Sequence, residues 1–346
     1  MIWPSDIYDL KEITEYHLSH SSPVFICYMD ASKAFDRVNH WKLCEKLLAN
    51  GMNPHIVKLI CYWYRSQQFY VRWGRSISAG FYVSNGVRQG GILSPFLFST
   101  YTDGLSELLN FSGYGCHYLG SVNHLLYADD LVLLFPTPFG LQKLLDICEA
   151  YAREHDILFN SKKTVCMAMM PKKFYGMHVP TLSLCGQPLR FVSEYKYLGY
   201  LISNDKRADD LEIRQQYRAL CCRANSLIRK FSLCNYVVKK YMYNTYCSNV
   251  SNMHLWHSYH TSDLVKFKVC FNNAARMFFG YDKFCSASDM FAQEHIDGYD
   301  AVKRKSVWNF VSRMSMSTNR IISALFHSDL AYMSPIRKMW YRTLYE

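Results

Sequence analysis

The sequence predicts an α+β fold over residues 1–205, an antiparallel sheet with helices packed on one face, followed by a mostly helical region over 206–346. Three observations carry this. Short apolar runs at 24–30, 124–128 and 131–135 have the length of buried strands and are bounded by turn-forming residues. Stretches with apolar residues at helical spacing alternate with them. Beyond Arg207 the helical period prevails, with Arg214, Arg218, Arg223, Arg229, Lys230, Lys239 and Lys240 spread among the apolar positions. No repeat, low-complexity tract or Gly/Ser linker marks the boundary near residue 205, so the change of patterning alone sets it.

Taken in order, Ile7, Leu10, Ile13 and Leu18 among charges suit a short surface helix that Pro23 closes. Val24 to Asp30 reads as a buried strand. Leu43, Leu47 and Leu48 share a helical face ending at Gly51, and Asn53-Pro54 supplies a cap and first turn for the next helix. The stretch from Gln68 to Gly86 reads as two strands around Gly74. Ser94-Pro95 then starts a helix whose expected core face is Phe96, Leu97, Leu105 and Leu108.

The runs at 124–128 and 131–135 flank Asp129-Asp130, the pattern of a hairpin with acids at its tip. An amphipathic helix follows, with Leu144, Leu145, Cys148, Tyr151 and Ala152 on one face. A strand-like run from Thr164 to Met170 comes next, then short strands at 182–184 and 197–202.

Composition narrows the function classes. Lys and Arg exceed Asp and Glu by 11 charges, which attracts a polyanion, whether nucleic acid or an anionic membrane surface. The 27 Tyr and 21 Phe offer stacking faces for bases, or ordinary packing. The 13 Cys include no C-x-x-C pair, so reduced thiols are expected rather than a zinc site. The first residues are acidic and lack a secretory signal pattern, and no run reaches the roughly 18 apolar residues of a membrane span. A soluble intracellular protein is the expectation.

Asp30 at the end of an apolar strand and Asp129-Asp130 at a hairpin tip are costly as clustered carboxylates unless a cation meets them. A pair of divalent ions fits that need, since Mg²⁺ binds through few carboxylates plus waters and substrate phosphates. Each acid also has a plainer reading, Asp30 as a cap and Asp129-Asp130 as solvated turn residues.

The ordered set weighs against the plainer reading. Residues 30–38, DASKAFDRV, resemble motif A of reverse transcriptases; 88–98, RQGGILSPFLF, resemble motif B; and YADD at 127–130 resembles motif C. NSKKT at 160–164 is similar to motif D and YLG at 197–199 to motif E, so the likeness runs from about 24 to 202 in the family's order. AFD, RQG-x-x-LSP and YADD are most similar to non-LTR retrotransposon enzymes, with group II intron enzymes a nearby relative. The resemblance implies a reverse-transcriptase palm with residual fingers over 1–205 and a helical thumb and C-terminal region over 206–346.

By the same resemblance, Asp30 and Asp129 are the main metal ligands and Asp130 the third acid, with Mg²⁺, or Mn²⁺ in its place, as the ions. Phe35 matches the side chain under the sugar that collides with a ribose 2′-OH; a plain core Phe is the other reading. Asp36, one residue beyond, reads as structural. Gln89 resembles the residue that contacts the incoming nucleotide or templating base, and Gly90 and Gly91 allow close backbone approach. Arg88 meets phosphate or steadies the loop. Lys163 matches a lysine that protonates the leaving pyrophosphate, with Lys162 beside it in a competing register. Tyr197, Leu198 and Gly199 resemble the turn that holds the primer 3′ end, or form an ordinary strand end.

The implied function is RNA-directed DNA polymerisation, with an RNA template, a DNA primer and deoxynucleotides as partners and no membrane. Residence in the nucleus or a cytoplasmic ribonucleoprotein follows by resemblance only. Only 29 residues precede Asp30, where the family carries its fingers, and nothing resembles an endonuclease or a Cys/His knuckle. The chain therefore reads as a fragment of a larger retrotransposon polyprotein, or as a translated degenerate copy. The alternative is a non-catalytic nucleic-acid-binding remnant, which loss of a triad acid would favour; none is lost.

Overall fold

The computed structural model describes residues 5–118, 120–174, 176–205, 207–328 and 334–346. Residues 1–4, where the opening segment begins, and Lys206, at the expected boundary, lie outside them. The chain forms two compact units, Ile13–Val192 and a second made of Met1–Glu12 with Ser193–Glu346.

The first unit is built on a five-stranded sheet. Strands β1 (Val24–Met29), β2 (His124–Tyr127), β3 (Asp130–Phe135), β4 (Val165–Met169) and β5 (Arg190–Phe191) lie in the order β5-β4-β1-β3-β2. All neighbours are antiparallel except β4 and β5. Central β1 is buried along its whole length, which is why VFICYM shows no polar alternation. Phe25, Cys27, Met29, Leu131 and Leu133 pack with Leu141, Leu144, Leu145 and Cys148 of helix α5 (Pro138–Glu154).

Helix α1 (Ser5–Ser19) opens the chain, and α2 (His40–Ala49), α3 (Pro54–Ser66) and α4 (Ser94–Phe111) follow β1. Their starts follow from local chemistry. Asn39 Oδ1 accepts from the N–H groups of Trp41 and Lys42, and Asn53 Oδ1 from His55 N–H ahead of Pro54. Leu43, Leu47, Val57, Ile60, Leu97 and Tyr101 form a second core between these three helices.

Several expectations change. Helix α1 is not a surface helix, because Ile7, Tyr8, Leu10 and Ile13 are all buried. On α4, Phe96 and Leu108 are 52% and 49% exposed, and the buried row is Leu97, Tyr101, Leu105 and Leu109. Steps of four bring Tyr101 into that row, where its hydroxyl donates to His155 O at 2.5 Å and so is buried without loss. The ribbon around Gly74 is broken into two ladders, 68–69 with 81–82 and 72–73 with 76–77, where Ser78 Oγ takes the N–H of Val71. Cys44 and Cys61 form a disulfide joining α2 and α3, whereas the other eleven thiols are free as expected.

The second unit is mostly helical. It holds the hairpin β6 (Glu194–Tyr197) and β7 (Tyr200–Ser203). Its helices are α6 (Ala208–Phe231), α7 (Tyr236–Tyr246), α8 (Thr261–Phe279), α9 (Ala287–Gln293), α10 (Tyr299–Ser315), α11 (Arg320–His327) and α12 (Pro335–Tyr345). The division thus falls ahead of residue 205 and takes in the hairpin, because Leu201 N–H donates to Glu212 of α6 at 3.0 Å.

The start of α1 belongs here because of one buried acid. Lys11 Nζ lies 2.5 Å from Asp209 Oδ1, which also accepts from Tyr200 OH, and Asp209 Oδ2 accepts from the N–H groups of His257 and Ser258. Burial alone would raise the Asp209 carboxyl, but Lys11, then His257 and the hydrogen bonds, hold it below the usual range. No helix among the described residues is long and apolar enough to cross a membrane.

Candidate active site

Asp30 follows the last residue of β1, and the antiparallel register of β1 and β3 pairs Met29 with Leu131. One step further along that register sets Asp30 opposite Asp130. Tyr127 pairs with Asp130, so Ala128 and Asp129 form a two-residue turn. Ala128 adopts φ +53°, a left-handed conformation that costs about 1–2 kcal/mol for a residue with a Cβ. The hairpin twist requires such a turn, and the strands on both sides hold it.

The three carboxylates crowd one another. Protein packed around the Asp130 carboxyl, and then the negative charges of Asp129 and Asp30, raise its pKa above the ordinary carboxylate range, although its outer edge meets solvent. Among the described residues one cation pairs with them: Lys163 Nζ lies 3.7 Å from Asp30 Oδ2.

The loop that carries Lys163 is pinned to the end of β1. Asn160 N–H donates to Asp30 O at 2.8 Å, and Asp30 N–H donates to Thr164 Oγ1 at 3.2 Å. Asn160 Oδ1 in turn accepts from the N–H groups of Lys162 and Lys163, an Asx turn. Asn160 and Thr164 were not singled out from sequence. The signal was present in Asn160, since an Asn two and three residues ahead of paired lysines is a turn former.

Phe35 starts a short 3-10 helix, Phe35–Arg37, and its ring stacks on Phe98 with centroids 4.6 Å apart. It is half-buried, with one face committed to packing and the rest open. Asp36 accepts a hydrogen bond from Gln89 Nε2 at 3.1 Å, which ties the segment after Asp30 to the 86–94 loop. Backbone bonds Gly86 N–H to Val38 O and Val87 N–H to Phe35 O, both 2.7 Å, seal that junction. A Cβ on Gly86 would meet Asp36 backbone atoms at 2.8 to 3.0 Å, so only glycine fits.

In the same loop Ser94 Oγ and Gly91 N–H both donate to Arg88 O, and Gly90 has φ +76°. The Arg88 and Gln89 side chains and Gly90 are exposed, and Arg88 makes no ion pair among the described residues. Asp30, Asp129, Asp130 and Lys163 therefore gather at one end of the sheet, with Phe35, Arg88, Gln89 and Gly90 on segments bonded to the residues after Asp30.

Tyr197, Leu198 and Gly199 belong to the second unit, where they make the tight turn between β6 and β7. Leu198 has φ +46° and Gly199 φ +85°, and the Tyr197 ring is buried.

Among the described residues no three His, Cys, Asp or Glu side chains already converge as a closed metal cage. The acids suit a hard divalent ion nonetheless: they are oxygen donors, their charges repel, and Mg²⁺ typically completes its shell with water and substrate phosphate rather than protein.

Residues 3–202 match the family profile described as reverse transcriptase (RNA-dependent DNA polymerase). The chain is 31% identical over 215 residues to the Pol polyprotein of the type-2 retrotransposable element R2DM of Drosophila melanogaster, covering 55% of this chain and 19% of that protein. It is 26% identical over 222 residues to the RNA-directed DNA polymerase from mobile element jockey of Drosophila funebris, covering 61% of this chain and 24% of that protein. It thus spans less than a third of the length of these relatives. Among solved structures, telomerase of Candida tropicalis aligns with 99% of this chain and 53% of its own at 13% identity and a TM-score of 0.46. With the family profile covering more than half of its length, the chain belongs to the reverse transcriptase family, in the branch of non-LTR retrotransposon polymerases.

Proposed function

We propose that this chain extends a DNA primer by copying RNA, with Asp30, Asp129 and Asp130 as its catalytic acids. The primer 3′-OH attacks the α-phosphate of a deoxynucleotide, a P–O bond forms, and pyrophosphate leaves. The observation that carries the reading is the convergence of Asp30, just past the end of β1, with Asp129 in the Ala128-Asp129 turn and Asp130 at the start of the adjacent β3, with Lys163 3.7 Å from Asp30.

Asp30 and Asp129 would hold two Mg²⁺ ions, or Mn²⁺, with Asp130 as the third acid. When bound, such ions supply positive charge to the attacking and leaving oxygens of phosphoryl transfer. Lys163, poised on the exposed side of Asp30, would give its proton to the departing pyrophosphate and add positive charge in the transition state. Gln89, steadied by Asp36, would contact the incoming nucleotide or the templating base, and Arg88 its phosphates. Phe35, braced from behind by Phe98, would turn away a ribose 2′-OH. Tyr197, Leu198 and Gly199 would support the primer end. RNA, DNA primer and deoxynucleotides are the proposed partners, with the remainder of a longer polyprotein as a further one.

The test is primer extension on poly(rA)/oligo(dT) with Mg²⁺, using this chain, its Asp129→Ala variant, and a longer chain that adds a related fingers region at the N-terminus. Extension that Asp129→Ala abolishes bears the proposal out. Extension by the longer chain alone places the chemistry here and the nucleotide grip elsewhere. No extension by either overturns polymerisation and favours a nucleic-acid-binding remnant.

A further inference from the structure

The second unit carries two clefts on either side of helix α10, and neither contains a residue assigned above. The first, about 590 Å³, is lined by Lys303 and Arg304 of α10 and by Lys338 and Arg342 of α12. None of these four cations makes an ion pair among the described residues, and the nearby Asp300 carboxylate is already taken by Lys268 Nζ at 2.8 Å. Lys338 and Arg342 stand at i and i+4 on one helix face, where like charges repel. Burial, with Lys268 adding to it against the pull of Asp300, lowers the Lys303 pKa. The lining also holds two acids, Glu346 and the Asp300 that Lys268 already pairs, so four cations outnumber them and the cleft favours an anion.

The second cleft, about 850 Å³, is lined by Trp308 and Arg313 together with Asn and Ser side chains. Trp308 is 57% exposed. Arg313 donates from Nε to Asn309 O at 2.9 Å and makes no ion pair among the described residues, whereas Lys305 on the same side is neutralised by Asp297 at 2.5 Å. This cleft offers an aromatic face, the Arg313 guanidinium with no ion pair among the described residues, and neutral donors and acceptors. Arg304 and Trp308 are four residues apart, hence neighbours about 5–6 Å apart at Cβ on the helix surface. The cationic cleft and the aromatic face therefore adjoin.

We propose that α10 binds an unpaired nucleic-acid strand, with its phosphates held by Lys303, Arg304, Lys338 and Arg342 and a base stacked on Trp308. A cationic groove beside a stacking face is the combination that single strands need, because phosphates supply the affinity and any base presents a π-face. An anionic membrane surface would use the cations but gain little from one tryptophan flanked by Asn and Ser. The site goes beyond the polymerase reading and stands whether or not the chain turns over.

The experiment is fluorescence anisotropy with a labelled 12-nucleotide single-stranded RNA of mixed sequence, on the full chain carrying Asp129→Ala and without nucleotides. Adding Trp308→Ala is expected to weaken binding at least about fivefold, and Trp308→Phe to restore most of it. Arg304→Gln with Lys338→Gln is expected to flatten the slope of log affinity against log salt by about 1.4, or about 0.7 per lost phosphate contact. These positions are exposed, so the variants should melt like the parent. Unchanged affinity and salt slope in both sets overturns the proposal. So does binding to phosphatidylserine vesicles that competes fully with the RNA and is indifferent to Trp308→Ala.

Discussion

Asp36 shows how a residue outside the reacting set still governs the site. Its carboxylate holds Gln89 by one exposed hydrogen bond, a kind worth about 0.5–1.5 kcal/mol. Asp36→Ala should leave the fold intact, raise the KM for deoxynucleotide up to about tenfold and change kcat less than about twofold, as steady-state kinetics would read. An equal loss in kcat would place Asp36 in the transition state instead. If Lys163 is the general acid proposed, Lys163→Ala has the opposite signature: such a group contributes about 10²–10⁴-fold, so kcat should fall by that order with KM little changed. His124, on the strand leading to Asp129, is bonded to Asn123 Oδ1 at 2.7 Å and Ser106 Oγ at 2.6 Å, and burial lowers its pKa to about 4. Because the folded value lies below the unfolded value near 6.5, its stabilisation is complete above pH 6.5 and is lost as pH falls toward 4. At pH 5 that loss is about 2 kcal/mol, so His124→Gln should lose less Tm than the parent between pH 7.5 and 5. Equal losses would show that His124 is not the buried neutral group described.

At the scale of elements, legibility in the sequence followed how local the determining physics was. Strand β1, the apolar face of α2, helix α3 with its Asn53 cap, and the acid-bearing hairpin were readable, because a buried strand, a capped helix start and a tight turn each write their cause into neighbouring residues; the Asn39 cap of α2 was not read, and the turn falls on Ala128-Asp129 rather than on Asp129-Asp130. The core face of α4 was not, since Tyr101 is buried only because His155 O, 54 residues on, accepts its hydroxyl. The Asp30 to Asn160 tie and the Asp36 to Gln89 bond were likewise hidden, because each joins segments distant in sequence. Helix α5 provides the floor under the acids, with Leu144 fully buried against β1 and β3. Leu144→Ala should cost about 2–5 kcal/mol in denaturant unfolding, the range for deleting a buried leucine side chain. A cost under about 1 kcal/mol would mean that the sheet does not depend on that face.

Over the whole molecule, the motifs reached residue 202 and composition said little beyond it, so past the Tyr197–Gly199 turn the second unit was legible only as basic and helical. Its organising contact, Lys11 with the fully buried Asp209, joins the first helix to a residue 198 positions later, and no periodicity announces such a pair. Lys11→Met should destabilise the unit by about 3–5 kcal/mol by leaving a buried carboxylate unpaired, and Lys11→Met with Asp209→Leu should recover part of that loss. A single variant as stable as the parent would remove the contact from that role. In the other unit, Asp30, Asp129 and Asp130 are proposed to form a divalent-ion site. Electron paramagnetic resonance titration of the full chain with Mn²⁺ tests it most directly, without requiring turnover. At least one bound Mn²⁺ per chain that disappears in Asp30→Asn with Asp129→Asn is the predicted result; equal Mn²⁺ binding by the parent and the double variant would contradict it.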